Sequence, residues 1–388
     1  MLAWWLGLLG LACTTGSPAA RQVVSPSQMA SPESLRELTQ QLADPALDGR
    51  DEGSEGSAVV RAFLVEQFRV CGVQPAGSNG YVQPIDQGVG INVLGRIPGT
   101  SKGTQAIVVS AHYDHQDPGW QVHPGAQDNA AAVAVLLRLA CALAQRPADR
   151  DVVIAFWDAE EPPTFLTEAM GSRFWHAHPT VPLTQVGAVI VLDLLGAGLW
   201  DGYPGTFALG GETSPQIRAA VASAREPGLP VLPAGLSVVE DLVIGRRAVW
   251  SDYEVFRDHN IPVLFMTDGQ NKRYHTAADT AEALDYDKLA KEQRWLHQVI
   301  RALASGSRIQ WGFRENYELN RRSVAALLGA ALSAPQRDRW SPTARTSIEA
   351  ALRSIQDGQA SPRDVRAAAQ RLMCWSGPQA SLFTCSLF

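Results

Sequence analysis

After its first 20 residues, this 388-residue chain has no segment of about 18 uninterrupted apolar residues, so repeated membrane crossing is not expected. Charge of one sign never gathers. The charged fraction is 19%, the net charge is −6, and no basic block is present to hold a nucleic acid. There is no Gly-rich phosphate loop and no Gly-x-Ser-x-Gly elbow, which argues against a nucleotide cradle and a serine-hydrolase turn. No repeat of fixed period points to a solenoid. Cysteine is scarce, at five residues, and lacks zinc-finger spacing.

What is present begins with an apolar run, Trp4 to Ala12, followed by Cys13 and small polar residues. It is too short to span a bilayer, but it fits an export signal over residues 1–20. Leu11-Ala12-Cys13 looks like a bacterial lipoprotein processing site, which would anchor the mature protein to a membrane through a lipidated Cys13. The expected location is extracytoplasmic: secreted, periplasmic or membrane-anchored. Cys71 and Cys141 lie in apolar helical segments and read as buried thiols. Cys374 and Cys385, close together in the tail, could be bridged in an exported protein.

Hydrophobic periodicity predicts helices over Pro32–Leu42, with Ser31 as N-cap, and near Ser57–Cys71, joined by a Gly-rich turn at 49–53. Continuous apolar runs then alternate with helical stretches. Strands are expected at 106–111, 152–157, 186–192 and 262–266, and helices at 129–144, 215–224 and 288–304. This pattern predicts an α/β fold, a mostly parallel central sheet flanked by helices on both faces. One catalytic domain would span 30–310. Residues 311–388, with 10 Arg against 6 acidic residues, read as a helical C-terminal extension without a catalytic motif.

Parallel sheets collect ligands at the carboxyl ends of their strands. Three predicted strands here end in metal-ligand residue types: His112 and Asp114, then Glu160 and Glu161, then Asp193. Asp128 opens a helix, and Tyr274-His275 follows the last strand. Imidazole and carboxylate donors without thiolate suit zinc, and Asp128 is placed to bridge two ions.

The stretches AHYDH, GAQDNAAAVAVLLRLA, FWDAEE, VLDLLG and YHTAADT, in this order, resemble the M28 family of zinc aminopeptidases, with similarity over about 42–289. The resemblance implies two zinc ions. His112, Asp128 and Asp193 would hold one, and Asp128, Glu161 and His275 the other. Glu160 would be the general base for the attacking water, Asp114 would fix the His112 tautomer, and Tyr274 would donate to the oxyanion. The substrate implied is a peptide with a free N-terminus. Two departures stand out. Asn129-Ala130-Ala131-Ala132 replaces the family's usual Asn-Ala-Ser-Gly, and a longer segment, 162–170, follows the paired glutamates. That segment leaves the substrate pocket open. It also keeps a single-zinc glutaminyl cyclase on the same fold as the alternative, and a non-catalytic binding module as a further one. Any one His-x-Asp or Glu-Glu pair is commonly just a solvated surface pair; the ordered set is what carries the metal reading. His115 reads as loop packing, His123 as solvent-exposed, Asp158 as structural and Asp279 as a helix cap.

Overall fold

The computed structural model describes residues 31–376, apart from 87, 102–104, 117–118, 241, 244–245 and 248. The expected signal over 1–20, Cys13 and Cys385 lie outside the described residues.

Helix α1 (Pro32–Leu42) starts where Ser31 accepts from Ser34 N, and α2 (Glu55–Cys71) starts at Ser54. Then come β1 (Gln74–Pro75), β2 (Val82–Pro84), β3 (Ile91–Ile97), β4 (Ala106–His112), α3 (Ala131–Gln145), β5 (Val152–Trp157), α4 (Gly171–Ala177) and β6 (Val186–Asp193). Next are β7 (Thr206–Leu209), α5 (Pro215–Ser223), β8 (Val231–Ala234), the ribbon β9 (Leu242–Val243) and β10 (Arg246–Arg247), α6 (Tyr253–Asp258), β11 (Val263–Thr267) and α7 (Tyr286–Ser305). Helices α8 (Tyr317–Ser333), α9 (Pro342–Gln356) and α10 (Pro362–Ser376) follow.

The main sheet runs β1-β3-β5-β4-β6-β11-β7-β8, with β2 on β3. Strands β5, β4, β6 and β11 are parallel neighbours, so their carboxyl ends meet at one edge. The flanks depart from the parallel expectation: β3 runs antiparallel to β5, and β7 antiparallel to β11. These outer strands carry few continuous apolar residues, so periodicity did not mark them.

Side chains of β4 alternate between two cores. Ile107, Val109 and Ala111 face the layer of α1, α2, α3, α5 and α7, while Ala106 and Val108 face α6, α8, α9 and α10. The stretch Ala126–Gln145 has the length and apolarity to cross a membrane, yet all but its last two residues are buried as the core helix under β4. The C-terminal helices pack on β8, where Asn320 Oδ1 accepts from Gly235 N at 2.8 Å and Ser323 donates to Pro233 O at 2.6 Å.

Cys71 and Cys141 are not free thiols: they form a disulfide, with Cα atoms 4.8 Å apart. The end of α2 lies against α3, and that juxtaposition is tertiary, so two apolar helices 70 residues apart gave no sign of it.

Candidate metal centre

His112 ends β4, Asp193 ends β6, and the Asp158–Glu161 turn leaves β5. The chain turns sharply at this edge. Ala159, Leu194 and His275 all have left-handed backbones, at φ 61°, 58° and 55°. Non-glycine residues adopt this region only where surrounding structure enforces it. Here it lets Glu160 and Glu161 diverge and turns the Asp193 and His275 segments toward one pocket.

Asp128 lies at the centre. His112 Nε2 is 3.3 Å from its Oδ1, 3.4 Å from Asp193 Oδ1 and 3.9 Å from Glu160 Oε2. On the other side, His275 Nε2 is 3.1 Å from Asp128 Oδ2 and 3.2 Å from Glu161 Oε2. The five proposed ligands and Glu160 are therefore brought together as two half-sites that share one carboxylate. His112 Nδ1 meets the main-chain oxygen of Asp114 at 3.1 Å, with the Asp114 carboxylate at 3.6 Å. Assigning the proton to Nδ1 leaves Nε2 as the donor atom. The Asp114 carboxylate instead accepts from Glu161 N at 3.0 Å, so Asp114 braces both half-sites.

The residues fit zinc on grounds internal to this pocket. Among the described residues, the potential metal donors gathered here are imidazole nitrogens and carboxylate oxygens. Buried His275 Nε2 and Glu161 Oε1 make no hydrogen bond, and an orphaned polar atom is costly unless something completes it. The carboxylates also crowd. Burial, with Asp252 and Asp193 nearby, holds Glu160 well above the usual carboxylate range, although the His112 charge opposes this. Burial works against ionised Asp128, but His112 and His275 on its two oxygens pull it well below that range. Burial and the surrounding carboxylates keep Tyr274 well above the usual phenol range, so its hydroxyl remains a donor.

Several positioning residues escaped the sequence reading. Asp279 does not cap the helix that follows, whose N-cap is Thr280; its two oxygens instead accept from Gln127 N at 2.8 Å and Asp128 N at 3.1 Å. Arg50 is buried and donates to Tyr113 O, Leu42 O, Pro124 O and Gly125 O at 2.6–3.0 Å, clamping the loops before Asp128. Burial draws its pKa down to about 10. Asp252, buried at the start of α6, is pushed up to about 7 by burial, against the pull of the His112 charge. Asp158 is structural as expected, accepting from Ile91 N and Tyr113 Oη at 2.7 Å. His123 is buried, against the exposed reading, because its loop folds back over His115. His115 itself lies inside the pocket with no exposed surface, its Nδ1 2.8 Å from Glu161 Oε1 and 3.8 Å from Asp128 Oδ2. The segment after the glutamates is tied down by Thr164, which donates to Glu52 Oε2 at 2.7 Å.

A family model described as peptidase family M28 matches residues 92–300. The chain is 27% identical over 310 residues to the uncharacterized protein YfbL of Escherichia coli, covering 71% of this chain and 89% of that one. A solved leucine aminopeptidase precursor from Bacteroides thetaiotaomicron superposes with TM-score 0.55 at 19% identity, covering 72% of this chain and 99% of that chain. A glutaminyl cyclase from the same organism superposes with TM-score 0.53 at 18% identity, covering 71% and 98%.

Proposed function

The chain belongs to peptidase family M28, and on that premise we propose that it is a two-zinc exopeptidase releasing residues from the N-terminus of peptides. One observation carries the reading: the two oxygens of Asp128 face His112 and His275 separately, at 3.3 and 3.1 Å. His112, Asp128 and Asp193 would hold one ion, and Asp128, Glu161 and His275 the other.

Bound there, zinc would polarise the scissile carbonyl and acidify a water enough to attack near neutral pH. Glu160 takes that water's proton and returns it to the leaving amine. Its elevated pKa, set by burial and neighbouring carboxylates, suits a group that must hold a proton between the two transfers. Tyr274 donates to the developing oxyanion. The carboxylates of Glu160 and Asp193 attract a free α-amino group, which favours an exopeptidase.

The test uses purified protein with an aminoacyl anilide, the same anilide blocked at its amine, and an N-terminal Gln peptide. Hydrolysis of the free-amine substrate alone, abolished by chelator and restored by zinc, is expected. The second reading, a glutaminyl cyclase, is favoured by the equally close superposition of a solved cyclase. Cyclisation of the Gln peptide with the anilide left intact would replace the peptidase reading.

We also infer export. The Cys71–Cys141 disulfide suits an oxidising compartment, and the run before Cys13 suits a signal. Mass spectrometry of the mature N-terminus should find processing within about the first 20 residues, with lipid on Cys13 if it is anchored. An intact Met1 in cytosolic protein would overturn this.

A further inference from the structure

We infer that His115 is a direct ligand of the second half-site, a fourth protein donor beside Asp128, Glu161 and His275. The inference rests on the two-metal reading above and goes beyond its five ligands.

His115 lies three residues beyond His112, past the end of β4, and has no exposed surface. Among the described residues, neither of its ring nitrogens has a well-directed hydrogen-bond partner. Fully buried imidazoles are normally satisfied, because an orphaned donor or acceptor costs stability. The polar neighbours of its Nδ1 are the two carboxylates that also flank His275.

The contact has the character of shared ligation. At 2.8 Å from Glu161 Oε1, the His115 Nδ1 is close enough for a hydrogen bond but is not well directed at the oxygen. His275 Nε2 shows the same combination, 3.1 and 3.2 Å from carboxylate oxygens and without a hydrogen bond. A nitrogen that lies beside an oxygen without pointing at it keeps its lone pair free for a third partner. Spacing agrees. With bonds of about 2.0–2.2 Å, two donors on one zinc stand no more than about 4 Å apart. The distances here are 2.8, 3.1, 3.2 and 3.8 Å. Two imidazoles on one tetrahedral zinc place their ring centres roughly 5–6 Å apart. The rings of His115 and His275 are 5.7 Å apart and nearly perpendicular.

The fold makes room for this ring. A Cβ on Gly125 would lie 2.5 Å from His115 Cγ, so any side chain there would push the imidazole away. Arg50 fixes that glycine through its carbonyl oxygen at 3.0 Å.

The half-sites are then unequal. The second has four protein donors and is closed. The first has three, His112, Asp128 and Asp193, and keeps the open position that catalysis needs. Glu160, 3.9 Å from His112 Nε2, borders that open side.

Cobalt-loaded holoprotein tests this by proton NMR, after its metal content is measured. Each ligating histidine contributes one solvent-exchangeable, paramagnetically shifted ring N–H. Wild type should show three such signals with two ions bound. His115→Ala should show two, and bind the ion of the second half-site more than about 10²-fold less tightly; a residue that only orients a ligand contributes about 10–100-fold. Two signals from wild type carrying two ions would overturn the inference whether or not the variant folds. Unchanged metal affinity in His115→Ala would do the same. Wild type that binds fewer than two ions would instead overturn the two-metal reading beneath it.

Discussion

Glu160→Gln should fold, retain two zinc ions and lose at least about 10²-fold in kcat, with a modest change in KM. The two glutamates after β5 are adjacent in sequence but face different groups. Both oxygens of Glu161 are engaged, Oε1 toward His115 and Oε2 toward His275. Glu160 instead stands at the edge of the first half-site, 3.9 Å from His112 Nε2, too far to be the partner that fixes the ring. A glutamine keeps size and hydrogen bonding but cannot accept a proton. General-base catalysis contributes about 10²–10⁴-fold, and 10² corresponds to about 2.7 kcal/mol of barrier. The checks are steady-state kinetics and zinc content on the same preparation. Loss of zinc with activity regained on resupply would mean that the two glutamates exchange roles.

The parallel centre of the sheet and its ligand edge were legible because both rest on local signals. Buried parallel strands are continuous apolar runs, and three of the four here ended in a carboxylate or imidazole. The strands at 106–112, 152–157, 186–193 and 263–267 all fall where the runs placed them. The residues that aim the ligands were not legible. Asp279 reaches back about 150 residues to the backbone of Asp128, and Arg50 reaches forward to Tyr113 and Gly125. Nothing in a single sequence relates such positions. The burial of His115 was not legible for the same reason. Beside a motif, a histidine in a Pro/Gly-rich loop has no periodicity to say whether it faces inward. Likewise the disulfide depends on how α2 lies on α3, which two apolar helices do not disclose. The left-handed turns at Ala159 and Leu194 use residues with little propensity for that backbone, so the reason for them is tertiary.

Asp128→Ala should remove both metals at once, and with them the activity. Every other ligand serves one half-site, but Asp128 presents Oδ1 to His112 and Oδ2 to His275. Its backbone is pinned by Asp279, which holds the two oxygens between the half-sites. Zinc content should fall below about one ion per chain. A metal supplies several kcal/mol of transition-state stabilisation, and each 1.36 kcal/mol is tenfold, so kcat/KM should drop by more than about 10³. Asp128→Asn should be intermediate in metal content, since its single neutral oxygen can serve one half-site only. Stability provides a second readout. Ligand binding to the native state stabilises it by about 4 kcal/mol at a thousandfold excess over Kd. Zinc should therefore raise the Tm of wild type and leave that of Asp128→Ala unmoved. The stability of the metal-free variant is less telling, because two effects oppose. Losing Asp128 relieves its repulsion of Glu161 and Asp193, yet it strips His112 and His275 of a partner. The difference between the zinc-loaded and zinc-free Tm cancels that background. If Asp128→Ala keeps two ions and the wild-type zinc shift, Asp128 does not bridge and the shared-carboxylate account of the site fails.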